Sequence, residues 1–196
     1  MKIMSKWLLC LKQDMTSLLI DNAMQAVTLL KFLPDQEIIR LKTEEKDGYN
    51  AIVIWAGKKE KDWKVEYKYI KEFKVDSLDG YNVWDKISTE ILNNVEKVTI
   101  KARTKGKGFQ WVVKRFGFAG WPETHGSKFH RHPWGIGNRK PRRVNKNHPL
   151  PGHMGYVNVT VKNVKVIGTH KIWDDDIIVV KGSVPGARNS LIRMYI

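Results

Sequence analysis

The most unusual stretch of the chain opens with Lys-Ala-Arg-Thr-Lys-Gly-Lys-Gly-Phe-Gln-Trp at residues 101–111 and closes with Pro-Gly-His-Met-Gly at residues 151–155. Residues 101–155 hold 13 Lys and Arg and one acidic residue, Glu123, so their net charge is +12. Residues 1–100 hold 16 basic and 16 acidic residues. The stretch has many glycines and few aliphatic runs, so it cannot bury itself as a core. We therefore expect a polyanion to order it.

Length and composition limit the classes of protein to which the chain can belong. Its 196 residues, of which 42% are hydrophobic, suffice for one substantial core. The pI of about 9.8 points to nucleic acid or an anionic membrane surface, but no run approaches the ~18 apolar residues of a membrane span. The run Trp7–Leu11 is too short for an export signal and is predicted as a first strand. Cys10 is the only cysteine, which excludes an internal disulfide and fits a reducing cytoplasm.

Short strands are predicted on both sides of the basic stretch. The predicted strands are Leu8–Thr16, Met24–Phe32, Glu37–Thr43, Tyr49–Ala56, Val95–Ala102, Val157–Val166 with a bend at Asn163, Ile177–Lys181 and Leu191–Ile196. Asp47-Gly48 predicts a hairpin turn, whereas the charged residues 58–74 predict a loop with a short helix. This spacing favours an antiparallel barrel or a sandwich, in which strands before and after the basic stretch pair with each other. A structureless excursion of this length is usually functional.

Two motifs in the basic stretch bear on its chemistry. Gly106-Lys107-Gly108-Phe109 lets the backbone approach phosphates, but it lacks the spacing of a nucleotide-binding loop. One interpretation of His125, His130 and His132 is a metal site. No cysteine and only one acidic residue accompany these histidines, so we favour contacts from His, Arg and Ser to phosphates and 2′-hydroxyls. Four phenylalanines are expected to stack or pack there: Phe109, Phe116, Phe118 and Phe129.

Several short motifs then follow one another in a recognisable order. In and after the basic stretch they are Gly106–Gln110, Val113–Arg115, Phe118–Gly120, Thr124–Arg131, Gly135–Gly137, Arg143-Val144, Gly152–Gly155 and Val159–Asn163. Nearer the ends they are Asp14–Thr16, Lys46–Ala51 and Val180–Gly186. Together they resemble the L-three family of large-subunit ribosomal proteins in its bacterial form, over nearly the whole chain. The chain departs from that family at Cys10 and Asp14, where glycine is usual, and at His153, where some members have a methylated glutamine.

The resemblance implies a mainly β chain that forms a closed antiparallel β-barrel of the translation-protein type, with a long basic RNA-binding extension. On this basis residues 1–103 form the first part of the barrel, with a charged insertion at about 58–90. Residues 104–155 form the extension, and residues 156–196 complete the barrel. The family implies that the tip of the extension, here residues 145–153, approaches the peptidyl transferase centre. No member is an enzyme, so no catalytic residue, cofactor or metal is expected.

The resulting prediction is a structural RNA-binding protein of the large ribosomal subunit, located on cytoplasmic ribosomes and contributing to subunit assembly. Its expected partners are ribosomal RNA and neighbouring large-subunit proteins, without membrane association or homo-oligomerisation. The predicted RNA-binding residues are Arg103, Lys105, Lys107, Lys114, Arg115, His125, Ser127, Lys128, His130, Arg131, Arg139, Lys140, Arg142, Arg143, Lys146, His148 and His153. Two alternatives stay open at this point: a His-metal-dependent RNA hydrolase, and a free basic nucleic-acid-binding protein.

Five tryptophans stand where the family pattern has glycine: Trp55, Trp84, Trp111, Trp121 and Trp134. Such positions favour glycine because they reverse the chain or approach phosphates closely. We hypothesise that the gene uses UGA for glycine and that the sequence was translated with UGA as tryptophan. The same hypothesis extends to the remaining three, Trp7, Trp63 and Trp173, where the family pattern gives no guide. The hypothesis predicts that several of the five indoles are exposed or poorly packed.

Overall fold

The fold is mainly β, as predicted, in a computed structural model that describes residues 7–61, 64–92, 95–137, 139, 142–172 and 175–196. The strands are β1 (Trp7–Ile20), β2 (Ala23–Phe32), β3 (Glu37–Lys42), β4 (Ala51–Lys61), β5 (Lys64–Lys74), β6 (Lys97–Arg103), β7 (Phe109–Gln110), β8 (Gly152–His153), β9 (Asn158–Ile172), β10 (Asp175–Lys181) and β11 (Leu191–Tyr195). Two short helices are α1 (Glu44–Asp47) and α2 (Val112–Phe116), and Thr89–Leu92 forms a 3-10 turn.

Six strands form the main sheet in the order β1-β11-β6-β9-β10-β2, and β2 pairs in turn with β1. Every pairing in this sheet is antiparallel. β6 lies before the basic stretch and β9 after it, and they pair from Lys97 opposite Lys165 to Arg103 opposite Asn158. The prediction that strands from the two sides of the basic stretch pair with each other is therefore confirmed.

The interior of the main sheet is built from alternate residues of its strands. In β6, Val98, Ile100 and Ala102 are buried while their neighbours are not, which is the predicted alternation. Leu8 and Cys10 of β1 belong to the same cluster. Burial raises the pKa of the Cys10 thiol to about 12, so this cysteine stays protonated and packs as a small apolar side chain.

A second sheet, in the order β3-β4-β5, encloses its own apolar cluster. Trp7 and Leu9 of β1 join that cluster, so β1 contributes to both cores and four consecutive residues of it are buried. The buried amide of Gln36 helps to fix this edge of β1: the Leu9 N–H donates to its Oε1 at 2.8 Å, and its Nε2 donates to the Leu9 carbonyl at 2.6 Å. Both polar groups of the amide are therefore satisfied despite burial.

One local prediction was wrong. Residues 58–74 are not a loop with a short helix, because β4 extends to Lys61 and β5 occupies Lys64–Lys74. Tyr67 and Tyr69 are half-buried between exposed neighbours, so the period of two is real, but the charged Glu66 and Lys68 at the intervening positions concealed it.

The hairpin predicted at Asp47-Gly48 is present, because β3 and β4 pair antiparallel on either side of it. The connection is longer than a two-residue turn: Asp47 ends α1, and Gly48 takes the left-handed conformation with φ 77°.

The predicted bend at Asn163 is confirmed in a milder form. β9 continues through this residue, which has φ 57°, and the pairing with β6 shifts register at the same place. Asparagine tolerates the left-handed conformation better than most residues, so a β-bulge forms without breaking the strand.

The chain divides into two compact units. Unit 1 comprises the described parts of residues 1–103 and 158–196, which contain the apolar clusters of both sheets and a smaller third one. Unit 2 comprises residues 104–157 and contains nearly all of the basic stretch.

Candidate nucleic-acid interface

Unit 2 begins and ends in a two-stranded segment, residues 104–110 and 152–157, which we call the neck. The Thr104 N–H donates to the Val157 carbonyl at 2.9 Å, and the Lys107 N–H donates to the Met154 carbonyl at 2.9 Å. Further along, β7 pairs with β8, so that Phe109 lies opposite His153. The two ends of the excursion are therefore held together by backbone hydrogen bonds, and residues 111–151 lie between them along the chain.

Close backbone approach in the neck requires a glycine at position 155. Gly155 has φ 78°, and a Cβ atom there would collide with the Lys105 carbonyl oxygen. Glycine alone combines this conformation with the absence of a side chain. The motif Gly-His-Met-Gly thus has a structural explanation within unit 2.

Arg115 joins helix α2 to the returning chain. The Arg115 Nη1 donates to the Leu150 carbonyl at 2.6 Å, and a Cβ atom on Gly152 would lie 2.8 Å from that same nitrogen. The half-buried Arg115 was predicted only as an RNA-binding residue. The structure gives it an internal contact as well, and sequence reasoning missed it because the acceptor is a backbone carbonyl.

The histidine-rich segment forms a closed loop. The Trp121 N–H donates to the His130 carbonyl at 3.0 Å, and the His130 Nδ1 lies 3.2 Å from the Pro122 carbonyl oxygen. His132 stacks on Phe129, with ring centroids 4.4 Å apart. Within the described residues, no three His, Cys, Asp or Glu side chains are grouped so that they could hold a metal ion. His130 thus contacts the backbone, and His132 contacts an aromatic ring.

The structure places most of the predicted RNA-binding side chains at the surface. Those that are exposed are Arg103, Lys105, Lys107, Lys114, His125, Ser127, Lys128, Arg131, Arg139, Arg142, Arg143, Lys146 and His153. The half-buried ones are Arg115, His130 and His148. Arg103 ends β6 in unit 1, and Lys140 lies outside the described residues. RNA contact by these residues stays a prediction.

Unit 2 contains far more basic than acidic residues. Residues 104–157 contain eleven Lys and Arg but one acidic residue, Glu123. At most one or two of these cations can therefore be neutralised within the unit, and the others need counter-ions or a polyanion. Phe109, Phe116 and Phe129 are also exposed, so flat aromatic surface lies among the cations. Basic side chains interleaved with exposed aromatic rings are typical of RNA-binding surfaces.

Three of the five unusual tryptophans belong to unit 2. Trp111, Trp121 and Trp134 are all exposed, and Trp134 leaves 65% of its surface accessible. Trp121 and Trp134 contact each other, with ring centroids 4.6 Å apart. Together with the exposed Trp84 of unit 1, they confirm the prediction that several of these indoles are poorly covered.

In the described part of the chain, no helix is long and apolar enough to span a bilayer.

Comparison with known proteins points to one family. The family profile described as Ribosomal protein L3 matches residues 81–195.

Full-length relatives agree with this match. The chain is 36% identical to a large ribosomal subunit protein uL3 of Oceanobacillus iheyensis, over 97% of both chains. It is 39% identical to the protein of that name from Bdellovibrio bacteriovorus, over 95% of this chain and 91% of the relative. It is 37% identical to the Thermotoga maritima protein, over 92% of both chains. The sequence motifs, the mainly β fold and these full-length matches agree, and the chain belongs to the ribosomal protein L3 family.

Proposed function

We propose that the chain is a structural constituent of the large ribosomal subunit and binds ribosomal RNA directly through unit 2. One observation carries this proposal: a member of a ribosomal protein family holds eleven Lys and Arg against one acidic residue in a compact 54-residue unit, residues 104–157. Such a surface gains affinity when phosphates replace the counter-ions that otherwise surround it. The role is structural and not enzymatic, and it includes support of subunit assembly.

The contacts are mainly to the RNA backbone. Arg and Lys pair with phosphate oxygens, whereas the exposed phenylalanines of unit 2 offer faces on which unpaired bases stack. Phosphate contacts carry no sequence information by themselves, so recognition depends on the shape of the folded RNA. The backbone-bonded neck of unit 2 holds the entry and exit of the basic chain in a defined geometry.

The six-stranded sheet of unit 1 is the barrel of the translation-protein type in this proposal. Its pairing order returns to β1, which supports a closed arrangement. Its strands precede and follow unit 2 in the sequence. Residues 104–155 are then the RNA-binding extension, and residues 1–103 and 156–196 form the barrel. We place the protein on cytoplasmic ribosomes, as a single copy in contact with ribosomal RNA and neighbouring proteins.

The family resemblance suggests that residues 145–153 lie at the inner tip of the extension. Within unit 2, Gly152 and His153 pair with Phe109 and Gln110 and so belong to the neck. Residues 147–151, Asn-His-Pro-Leu-Pro, precede that pairing. Two prolines stiffen this segment because each fixes its own φ and restricts the residue before it. We propose this segment as the part that influences the peptidyl transferase centre.

Deletion of residues 147–151 tests this assignment. We expect the variant to fold and enter the large subunit, because the segment contributes no residue to any of the three apolar clusters of unit 1. We expect altered peptidyl transfer, or altered sensitivity to drugs that bind at that centre, measured on purified subunits. The segment contains no Lys or Arg, so the slope of log K against log salt should fall by less than the 0.7 to 0.9 expected for one lost phosphate contact, even though Arg115 loses its Leu150 carbonyl partner. Unfolding of unit 1 in the variant, seen as loss of its cooperative unfolding transition, would show that the segment is structural.

A further inference from the structure

The hairpin of β1 and β2 extends beyond the rest of its sheet. β1 pairs with β11 only from Trp7 to Leu11, and β2 pairs with β10 only from Val27 to Lys31, in the described part of the chain. Residues 14–25 therefore form a two-stranded ribbon. Its turn is defined, because Asp21 and Asn22 have φ 51° and 58°, as in the tight turns that suit twisted hairpins.

The two faces of this ribbon differ. On one face Ile20 packs against a small cluster formed by Val27, Ile177 and Val179. On the other face Leu19 lies directly opposite Met24 in the strand register, and these side chains are 69% and 67% exposed. Met15 lies on that same face by the alternation of β1 and is also exposed. The open face thus presents a short apolar stripe of Met15, Leu19 and Met24.

The composition of the ribbon is opposite to that of unit 2. Residues 13–30 contain no Lys or Arg and two acidic residues, Asp14 and Asp21, in a chain with a net charge of +15. They also contain no aromatic residue. Most of the affinity for phosphate comes from cations, and base stacking needs aromatic rings, so this surface offers RNA little. Protein interfaces, in contrast, are enriched in methionine and depleted of lysine at their centres.

We propose that the open face of the ribbon binds a neighbouring protein of the large subunit, one with an apolar patch and a basic net charge. The inference rests on the proposed function, which supplies the setting in which such a neighbour exists. The apolar stripe needs apolar surface on the partner. The carboxylates of the ribbon favour a basic partner, and Asp21 at the turn is the main attraction because Asp14 already lies 3.8 Å from the Arg188 Nη1. A two-stranded ribbon alone is only marginally stable in water, so a partner that covers it also stabilises it.

Photo-crosslinking in assembled subunits identifies what covers the ribbon. A photoreactive amino acid at position 19 is expected to give adducts with peptides of one other ribosomal protein. The same amino acid at position 109, in the neck of unit 2, is expected to give adducts with ribosomal RNA. Adducts at position 19 with RNA or with a second copy of this chain, or no adduct at all, would overturn the ribbon proposal. Absence of RNA adducts at position 109 would instead count against the proposed function.

A substitution experiment tests the energetic role of the same face. The double change Leu19→Ser and Met24→Ser should leave this protein in the subunit but lower the affinity of the crosslinked neighbour by about tenfold or more, because two large apolar contacts are lost. Ile70→Ser is the matched control, since Ile70 is an exposed apolar residue on β5 of the second sheet. Unchanged retention of the neighbour in salt-washed subunits of the double variant would contradict the proposal, as would an equal loss in the control.

Discussion

Replacement of Arg131, Arg142 and Arg143 together by alanine is expected to flatten the salt dependence of binding to a large-subunit RNA fragment. All three side chains are exposed in unit 2. Each phosphate contact lowers the slope of log K against log salt by about 0.7 to 0.9, so the triple variant should lose about 2 to 3 from the slope. Affinity should fall to a similar extent for RNA fragments of different sequence, because backbone contacts do not distinguish bases.

The control for this experiment is the triple Arg→Lys variant. Lysine retains the charge, so the slope should equal that of the unchanged protein even if affinity falls through lost bidentate geometry. Binding isotherms between about 50 and 200 mM salt are the measurement, because several phosphate contacts change affinity by orders of magnitude across this range. An unchanged slope in the alanine variant would rule out phosphate contacts at these three positions.

The backbone conformation of Trp84 disfavours tryptophan and favours glycine. Trp84 has φ 75°, whereas five of the other six non-glycine residues with positive φ in the described chain are Asp or Asn. A left-handed backbone costs an ordinary L-residue roughly 1–2 kcal/mol, and glycine avoids this cost. Trp84 is also 61% exposed, so its indole gains little burial in return.

Trp55 gives independent support for the glycine hypothesis. Its indole Nε1 is buried and finds no hydrogen-bond partner among the described residues. Its ring centroid lies 3.2 Å from that of Tyr67, closer than the 4.5–7 Å that aromatic pairs prefer. A buried, unpaired donor and an overcrowded ring are both unfavourable, and glycine at position 55 removes both. The hypothesis for Trp63 and Trp173 concerns positions outside the described residues.

We therefore expect UGA codons in the gene at Trp55, Trp84, Trp111, Trp121 and Trp134, and glycine at these positions in the native protein. Peptide mass spectrometry of native ribosomes provides the second measurement. UGG codons at Trp111, Trp121 and Trp134 would end the hypothesis.

A stability experiment follows from the same argument. Trp84→Gly should raise the free energy of unfolding by about 1 kcal/mol, because the strain that it relieves exceeds the flexibility that it adds. Trp7→Gly is the contrasting variant: Trp7 is buried and stacks on Phe73 at 5.7 Å, so its loss should cost about 3–5 kcal/mol. Denaturant unfolding of both variants gives the comparison, and a destabilised Trp84→Gly protein would contradict the strain argument.

The sequence predicted the elements whose side chains alternate clearly. The alternation of Val98, Ile100 and Ala102 predicted β6, because one face of that strand is buried and the other is not. Residues 58–74 were missed for the opposite reason: Glu66 and Lys68 lie on the open face of the second sheet, and their charge was taken as a sign of a loop. Hydrophobic patterning is thus reliable only where the solvent-facing residues do not dominate the composition.

For the candidate interface too, the sequence predicts some features and not others. Its charge and its exposure follow from composition, because so many cations cannot be buried together. The contact between Arg115 and the Leu150 carbonyl, and the pairing of Phe109 with His153, depend on backbone geometry that no side-chain pattern encodes. The open face of the β1–β2 ribbon was also missed, because Leu18, Leu19 and Ile20 are consecutive apolar residues and do not indicate which face of β1 is covered.

This protein is a constituent of the large ribosomal subunit, and we expect RNA to hold it there. The decisive measurement is co-sedimentation of the chain with ribosomal subunits on a sucrose gradient. The chain should migrate with large subunits and not with small ones, and ribonuclease treatment before sedimentation should release it. Recovery of the folded chain at the top of the gradient, with no enrichment in the large-subunit fractions, would overturn this assignment.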